Sequence, residues 1–285
     1  MSQLESKTII VTGGSLGIGL AVAKKCAEES ARVIIAARNE NDLTHAVEEI
    51  KKISSREHSC YSLDVSNIKD VKNFAEWCNQ NNIQINGLVN CAGMYGPIGK
   101  TTEIDLAKFT EAIHINFLGT VYMCGIFAPL IKSEKRKKII NYSGGGAASP
   151  FANYSAYATG KIAIVRFTEN LSIELAEDNF DVNCIAPGFV ITRLHQQTLE
   201  VGGEKAGSSF FENTQKQIET GGVPSEKAAD LTAFLLSEES NGITGKFISA
   251  PWDPWQTQEF RDLLRSDKDF ATLRRIDNKT FFKKT

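Results

Sequence analysis

The chain has 285 residues, 42% of them apolar and 23% charged, with 22 Gly and 7 Pro. These proportions exclude disordered, collagenous and fibrous classes and suffice for one large core. The 32 basic and 34 acidic side chains leave a formal net charge of −2, so there is no broad positive field to hold nucleic acid or an anionic membrane. From the N-terminus onward, apolar runs alternate with longer amphipathic stretches. Strands are predicted at Lys7–Thr12, Arg32–Ala36, Cys60–Leu63, Gly87–Asn90, Lys138–Tyr142, Val182–Ile185 and Lys246–Ser249. Helices are predicted between them at Gly17–Glu29, Asn41–Ile53, Lys69–Asn79, Leu106–Ile115, Gly119–Ile131, Ser155–Ala176 and Ser225–Leu236. Strands that are apolar throughout, separated by helices, imply a parallel sheet covered on both faces. The expected fold is therefore a doubly wound, Rossmann-type α/β domain over residues 1–250, which binds ligands at the C-terminal ends of its strands. Two regions lack the alternation: Thr192–Gly222, expected as a substrate loop, and the extension 251–285.

The six cysteines are scattered without a C-x-x-C pair, so they read as core residues in a reducing compartment. The polar start has no signal core, and the longest apolar run, Val121–Ile131, is too short for a bilayer. A cytoplasmic protein without membrane or nucleic-acid partners is expected. His45, His58 and His114 lack metal-ligand spacing, whereas His195 falls in the loop where it could touch substrate. The run Lys135-Arg136-Lys137-Lys138 is expected as a solvated loop before the fifth strand.

The segment Thr12-Gly13-Gly14-Ser15-Leu16-Gly17-Ile18-Gly19 joins the first strand to the first helix. Gly13 permits a tight turn, Gly17 a close approach to a pyrophosphate, and Gly19 close packing of helix on strand. This predicts a dinucleotide site in which Ser15, Leu16 and Ile18 take part. At the end of the second strand an NAD site usually carries a carboxylate for the ribose 2′-hydroxyl. Here Arg38 follows Ala37, with no carboxylate before Glu40. A guanidinium suits a 2′-phosphate, so NADP(H) is expected ahead of NAD(H).

Tyr157 has Lys161 four positions on, which places both on one helix face. An ammonium about 4 Å from a phenol, at an effective dielectric near 20, is worth roughly 4 kcal/mol. That would lower the phenol by up to ~3 pKa units, toward neutral pH. The ordered set TGGSLGIG, Leu63-Asp64-Val65, Asn90-Cys91-Ala92-Gly93, Asn116, Ser143, Tyr157/Lys161 and Pro187-Gly188 resembles the short-chain dehydrogenase/reductase family from about Lys7 to Phe247.

The resemblance implies that Tyr157 is the general acid–base and that Lys161 holds the nicotinamide ribose and lowers the Tyr157 pKa. Asn116 would anchor a relay water, and Asp64, with Val65 beside it, would contact adenine. Asn90, Ala92 and Gly93 would line the adenosine side, and Pro187, Gly188, Val190 and Thr192 would hold the carboxamide. A homodimer or homotetramer acting on a small carbonyl or alcohol is also implied.

Three departures stand out. Gly144 occupies the position of the family's substrate-polarising serine, thirteen residues before the tyrosine, and Ser143 lies one residue earlier. The following glycines would let Ser143 face the cleft; Ser149, or no serine, is the alternative. Cys91 replaces an asparagine and is expected to pack, as is Tyr154, unless it forms a pocket wall.

The chain continues through Pro251-Trp252-Asp253-Pro254-Trp255 into a tail with +3 formal charge, against −5 for the rest. Phe260, Leu263 and Leu264 have helical spacing and should pack on a neighbouring surface, while Arg274-Arg275 could reach a substrate anion. The Ser143 loop and the Trp-Asp-Pro-Trp segment resemble a bacterial subgroup linked to surface-polysaccharide or sugar metabolism. The expected activity is interconversion of a secondary alcohol and a ketone. A non-catalytic NADP-binding protein and a nucleotide-sugar epimerase or dehydratase remain open at this point.

Overall fold

The computed structural model describes residues 2–276. Seven strands, β1 (Thr8–Thr12), β2 (Arg32–Ala37), β3 (Ser59–Ser62), β4 (Gly87–Asn90), β5 (Lys137–Tyr142), β6 (Phe180–Ala186) and β7 (Phe247–Ser249), form one parallel sheet in the order β3-β2-β1-β4-β5-β6-β7. Every residue of β1 and β4 is buried, as expected of strands sandwiched between helix layers. On one face lie α1 (Gly17–Glu28), α2 (Glu40–Lys51) and α9 (Ser225–Leu236), which meet the sheet through Val22, Cys26, Leu43, Ile50, Leu231 and Leu235. The other face carries α3 (Ile68–Gln80), α4 (Leu106–Ile113), α5 (Gly119–Phe127) and α6 (Ser155–Glu174), with Phe74, Cys78, Met123, Phe127 and Leu171 in the core. The strand order reverses between β1 and β4. There the Thr12 hydroxyl accepts from the backbone N–H groups of Cys91 (3.2 Å) and Ala92 (3.3 Å), tying the two strand ends together. Such a switch point is where doubly wound sheets hold ligands.

Helices α4 and α5 are joined by a π-helical turn, His114–Leu118, and continue to Leu130. The resulting 25-residue helix has the length and apolar content to cross a membrane, a longer run than Val121–Ile131 suggested. It packs instead on the sheet through Ala112, Asn116, Met123, Cys124 and Phe127.

Of the basic run, only Lys135 is exposed in the loop before β5. Lys137 and Lys138 belong to β5, and Lys138 is buried. Its ammonium donates to Asp181 (2.8 Å) and to the Ser240 hydroxyl (3.0 Å). Asp181, fully buried on β6, also accepts from Arg136 Nε (2.7 Å) and the Gly242 N–H (3.2 Å). A lysine is tolerated inside the sheet because a carboxylate on the neighbouring strand meets it.

The segment expected as a loop over Thr192–Gly222 folds into two helices, α7 (Arg193–Ala206) and α8 (Ser208–Thr220). Gly202 (φ 77°) kinks α7 and Gly207 (φ 88°) separates the pair. These breaks interrupt the apolar period by which a helix is recognised.

Beyond β7, Trp255 stacks on Phe234 of α9 at 5.5 Å, and the Arg261 guanidinium lies over the Phe234 ring, 4.2 Å from its centroid. Helix α10 (Gln258–Ser266) buries Leu264 and packs Phe260, while Leu263 stays 40% exposed. The chain then crosses the outer edge of β7. The Phe247 N–H donates to the Ala271 carbonyl (2.8 Å), and Lys246 Nζ donates to the carbonyls of Asp267 (2.7 Å) and Phe270 (3.0 Å). Arg274 does not approach the strand ends where ligands bind. It pairs with Glu169 of α6 (2.5 Å) and with Asp269 (3.0 Å), and Glu169 lies twelve residues, about 18 Å of helix, beyond Tyr157. The last residues of the extension, 277–285, lie outside the described residues.

Candidate active site

Tyr157 and Lys161 lie one turn apart on the first half of α6, both buried. Lys161 Nζ is 5.6 Å from the Tyr157 ring centroid and donates to the Tyr142 carbonyl at 3.0 Å. Asn116, in the π-helical turn, is fully buried. Its amide donates to the Met94 carbonyl (2.8 Å) and accepts from the Met94 N–H (2.9 Å). A π-turn widens the helix locally and is common at functional sites. Here it sets Asn116 against Gly160 of α6, where a Cβ would stand 3.1 Å from that of Asn116. A Cβ on Gly93 would lie 2.9 Å from Asn116 Oδ1 and 3.3 Å from Lys161 Nζ. Gly93 therefore leaves an opening onto which both groups converge.

The glycine turn between β1 and α1 is built beside this opening. Gly13 and Gly17 have φ of 66° and 55°, conformations that favour glycine. A Cβ on Gly19 would overlap the Gly13 carbonyl, so helix and strand meet at closest approach. The N-cap of α1 is Leu16, which offers no side-chain cap, and the first turn contains no acidic residue. Its N–H groups are thus left to an external anion. Ser15 is buried in the turn, Ile18 is half-buried, and Thr192 stands across from Gly17, 3.3 Å from where a Cβ would be. Gly188 (φ 82°) turns the chain after Pro187 so that the Val190 N–H meets the Gly188 carbonyl (3.1 Å). A crevice lined by Thr12, Val65, Asn90, Ala92, Ile115 and Thr120 adjoins the switch point. These features fit a nicotinamide dinucleotide.

Arg38 follows β2 and is exposed; Asn39 caps α2 by accepting from the Asp42 N–H at 3.0 Å. Asp42 in turn faces Arg193 of α7 (3.5 Å). One oxygen of Asp64 accepts from the N–H and the hydroxyl of Ser66 (2.9 and 2.7 Å). Asn90 departs from an open cofactor contact. Its amide donates inward to Asn141 (2.9 Å) and Cys124 (3.3 Å), linking β4 to β5 and α5, and its buried Oδ1 has no partner.

One electrostatic expectation changes. Burial pushes the Tyr157 phenol well above its ordinary value and the Lys161 ammonium below its own. Desolvation is the largest cause for both groups. Burial also pushes the Cys91 thiol up to about 12, so it stays protonated and packed.

Ser143 does not face the cleft. Its hydroxyl donates to the Lys161 carbonyl at 3.0 Å and is buried, because the β5 ladder continues through the Ser143 N–H to Ile185. Ser149 is exposed. At Gly144, a Cβ would overlap the Tyr157 hydroxyl.

Above Tyr157 lies an aromatic wall of Tyr95, Phe151, Tyr154 and Phe210, with Leu194 and Phe211 from α7 and α8. Tyr95 meets Tyr157 edge-on at 4.9 Å. Tyr154 stacks on Phe151 at 4.3 Å and hydrogen-bonds Thr198 (2.9 Å), so it is a wall residue. Sequence reasoning missed Tyr95, Phe151, Phe189 and Phe210. The signal available was an aromatic two positions after Asn-Cys-Ala-Gly and another directly after Pro-Gly.

The family model for short chain dehydrogenases matches residues 7–201. The chain belongs to the short-chain dehydrogenase/reductase family. It is 32% identical over 252 residues to the uncharacterized oxidoreductase YxbG of Bacillus subtilis, covering 88% of this chain and 91% of that one. It is 30% identical over 274 residues to the uncharacterized oxidoreductase DltE of the same organism, covering 94% and 95%, so this likeness takes in part of the extension. Among solved structures, a short-chain dehydrogenase of Shigella flexneri complexed with NADP superimposes with a TM-score of 0.75 at 25% identity, covering 87% of this chain and 98% of that one. NAD+-bound xylitol dehydrogenase superimposes with a TM-score of 0.76 at 23% identity, covering 87% and 98%. The fold and the oxidoreductase class of this family member follow, with a nicotinamide dinucleotide as the family's cofactor.

Proposed function

We propose that this family member is an NADP(H)-dependent oxidoreductase that interconverts a secondary alcohol and a ketone, with Tyr157 as the general acid–base. The observation that carries this reading is the convergence of Lys161 and Asn116 on the opening at Gly93, with Tyr157 one turn from Lys161 on α6, beside the uncapped N-terminus of α1. When bound, the cofactor supplies or takes up the hydride. Tyr157 gives its proton to the carbonyl oxygen, and the buried ammonium of Lys161 stabilises the phenolate left behind. Exposed Arg38, with no carboxylate at the end of β2, supports recognition of a 2′-phosphate.

The wall of Tyr95, Phe151, Tyr154, Phe210 and Leu194 has few groups to bind several hydroxyls. It supports a ketone with apolar or planar substituents ahead of the sugar-related substrate suggested by the Ser143 loop and the tail. The six free cysteines support a reducing, cytoplasmic setting. Exposed Ile162 and Ile173 on α6 offer a face for a homodimer or homotetramer.

The test is a fluorescence titration with NADPH and NADH, followed by a panel of aromatic, aliphatic and sugar ketones. Preference for NADPH, lost selectively in Arg38→Ala, together with carbonyl reduction abolished in Tyr157→Phe, is the expected result. Equal loss of both nucleotides in Arg38→Ala, or turnover by Tyr157→Phe close to that of the parent, overturns it.

A further inference from the structure

Polarising a ketone requires a second donor besides the tyrosine, and the β5–α6 loop does not provide one. Ser143 is turned into α6, Gly144 has no side chain, and Ser149 is exposed. The opposite wall of the cleft contains a polar group that the reading above leaves unused. His195, in the first turn of α7, is buried between Phe189 and Tyr95, with ring centroids at 4.0 and 6.0 Å. Tyr95 also touches Tyr157 edge-on at 4.9 Å, so one ring separates the imidazole from the general acid.

The orientation of His195 is fixed by its own helix end. Its Nδ1 accepts from the Thr192 N–H at 3.3 Å, completing a capping box with the Thr192 hydroxyl. An Nδ1 that accepts must be unprotonated, which puts the ring proton on Nε2. Nε2 has no hydrogen-bond partner among the described residues and is not among the sealed, unpartnered polar atoms. It is therefore an N–H donor that the surrounding protein does not seal off. Burial lowers the imidazole to about 4, with no charged side chain contributing, so the ring is neutral at physiological pH. The titratable side chain packed directly against it is Tyr95, itself held protonated by burial.

We infer that His195 is the carbonyl-oxygen donor of this enzyme, its Nε2–H taking the role that a serine at position 144 would have played. The inference rests on the oxidoreductase reading. In reduction, the cofactor's hydride goes to the carbonyl carbon, the C=O π pair goes to oxygen, and Tyr157 supplies the proton. His195 keeps its proton throughout and contributes only a hydrogen bond that strengthens as charge develops on oxygen. A neutral imidazole is suited to this role because it donates without introducing a charge into an aromatic wall.

The test uses the full chain, NADPH and 1-phenyl-1,2-propanedione, a flat activated dicarbonyl. His195→Ala should lower kcat/KM by roughly 100-fold, the usual cost of removing one such donor, with NADPH affinity unchanged. His195→Gln, which keeps an N–H, should recover about a tenfold part of that loss. Independently of turnover, the 15N resonance of His195 Nε2 should show a protonated, pyrrole-type nitrogen from pH 8 to pH 5. It should shift when the dione is added to the protein saturated with NADP+. Turnover in His195→Ala within threefold of the parent, or an unprotonated Nε2, overturns the inference. If the parent binds NADPH but leaves the dione unreduced, the oxidoreductase reading suffers. The Nε2 shift on adding the dione then decides the His195 assignment alone: a shift supports it and no shift overturns it.

Discussion

The Tyr157 hydroxyl lies where a side chain at Gly144 would begin, so that any Cβ there would overlap it. Glycine at this position is therefore a condition of the observed tyrosine rotamer. Restoring the hydroxyl that other members of the family carry should damage the site. Gly144→Ser is expected to lower kcat at least tenfold and to destabilise the fold by about 1–3 kcal/mol, the range for overpacking a filled site. Steady-state kinetics with thermal unfolding would check this; a more active Gly144→Ser enzyme would show that Tyr157 sits elsewhere during turnover.

Asp181 holds Arg136, Lys138 and the Gly242 N–H from a fully buried position. Asp181→Ala would leave the Lys138 ammonium buried without its carboxylate, at a cost of about 3–5 kcal/mol. Urea unfolding should show a lower midpoint with an unchanged slope. Lys138→Met with Asp181→Ala should recover much of the loss, because the desolvated charge is then gone.

Acidification should destabilise the protein before the carboxylates begin to titrate. His195 is lowered to about 4 and His58 is also lowered, both by burial. The unfolded chain, with histidines near 6.5, takes up protons first. The stabilisation due to the neutral rings is thus complete above pH 6.5 and is lost as pH falls from 6.5 toward 4. For His195 this amounts to about 3 kcal/mol over that window. His195→Gln should show a flatter stability profile between pH 6.5 and 4.5 than the parent, and parallel profiles would contradict the shift.

The tail should be an integral part of the fold. Trp255→Ala removes the stack on Phe234 and the indole N–H donated to the Ala250 carbonyl (3.3 Å). A loss of about 3 kcal/mol is expected from the buried ring. Differential scanning calorimetry should show one lowered transition. A separate early transition would mean instead that the tail melts independently of the sheet.

The sheet was legible in the sequence because strands covered on both faces are apolar along their whole length, as in Ile9-Ile10-Val11 and Leu88-Val89. The cofactor end was legible for a different reason: Gly13, Gly17 and Gly19 meet backbone constraints that few other residues can. The side chains whose role depends on a distant partner were not legible. Lys138 resembles a solvated lysine until Asp181 arrives 43 residues later. Arg274 could have reached for a substrate until Glu169 supplied its partner. Ser143 lies one residue from the position of the family's serine, and its rotamer is set by the Lys161 carbonyl, which no spacing argument contains. Helix α7 escaped notice because Gly202 breaks its period, and α8 because the residue it buries, Thr214, is not apolar.

The hydrogen bond from Phe247 to the Ala271 carbonyl also bears on how the chain is made. A nascent polypeptide can pair all seven strands once Ser249 has emerged from the ribosome, yet the outer rim of β7 then still presents unpaired peptide groups. That rim is a template for strand addition by another unfinished chain. It closes only when the segment from Trp255 to Ala271 has been synthesised and has folded back. Premature termination within that segment would leave a nearly complete sheet with an open edge, a species more prone to self-association than the finished molecule.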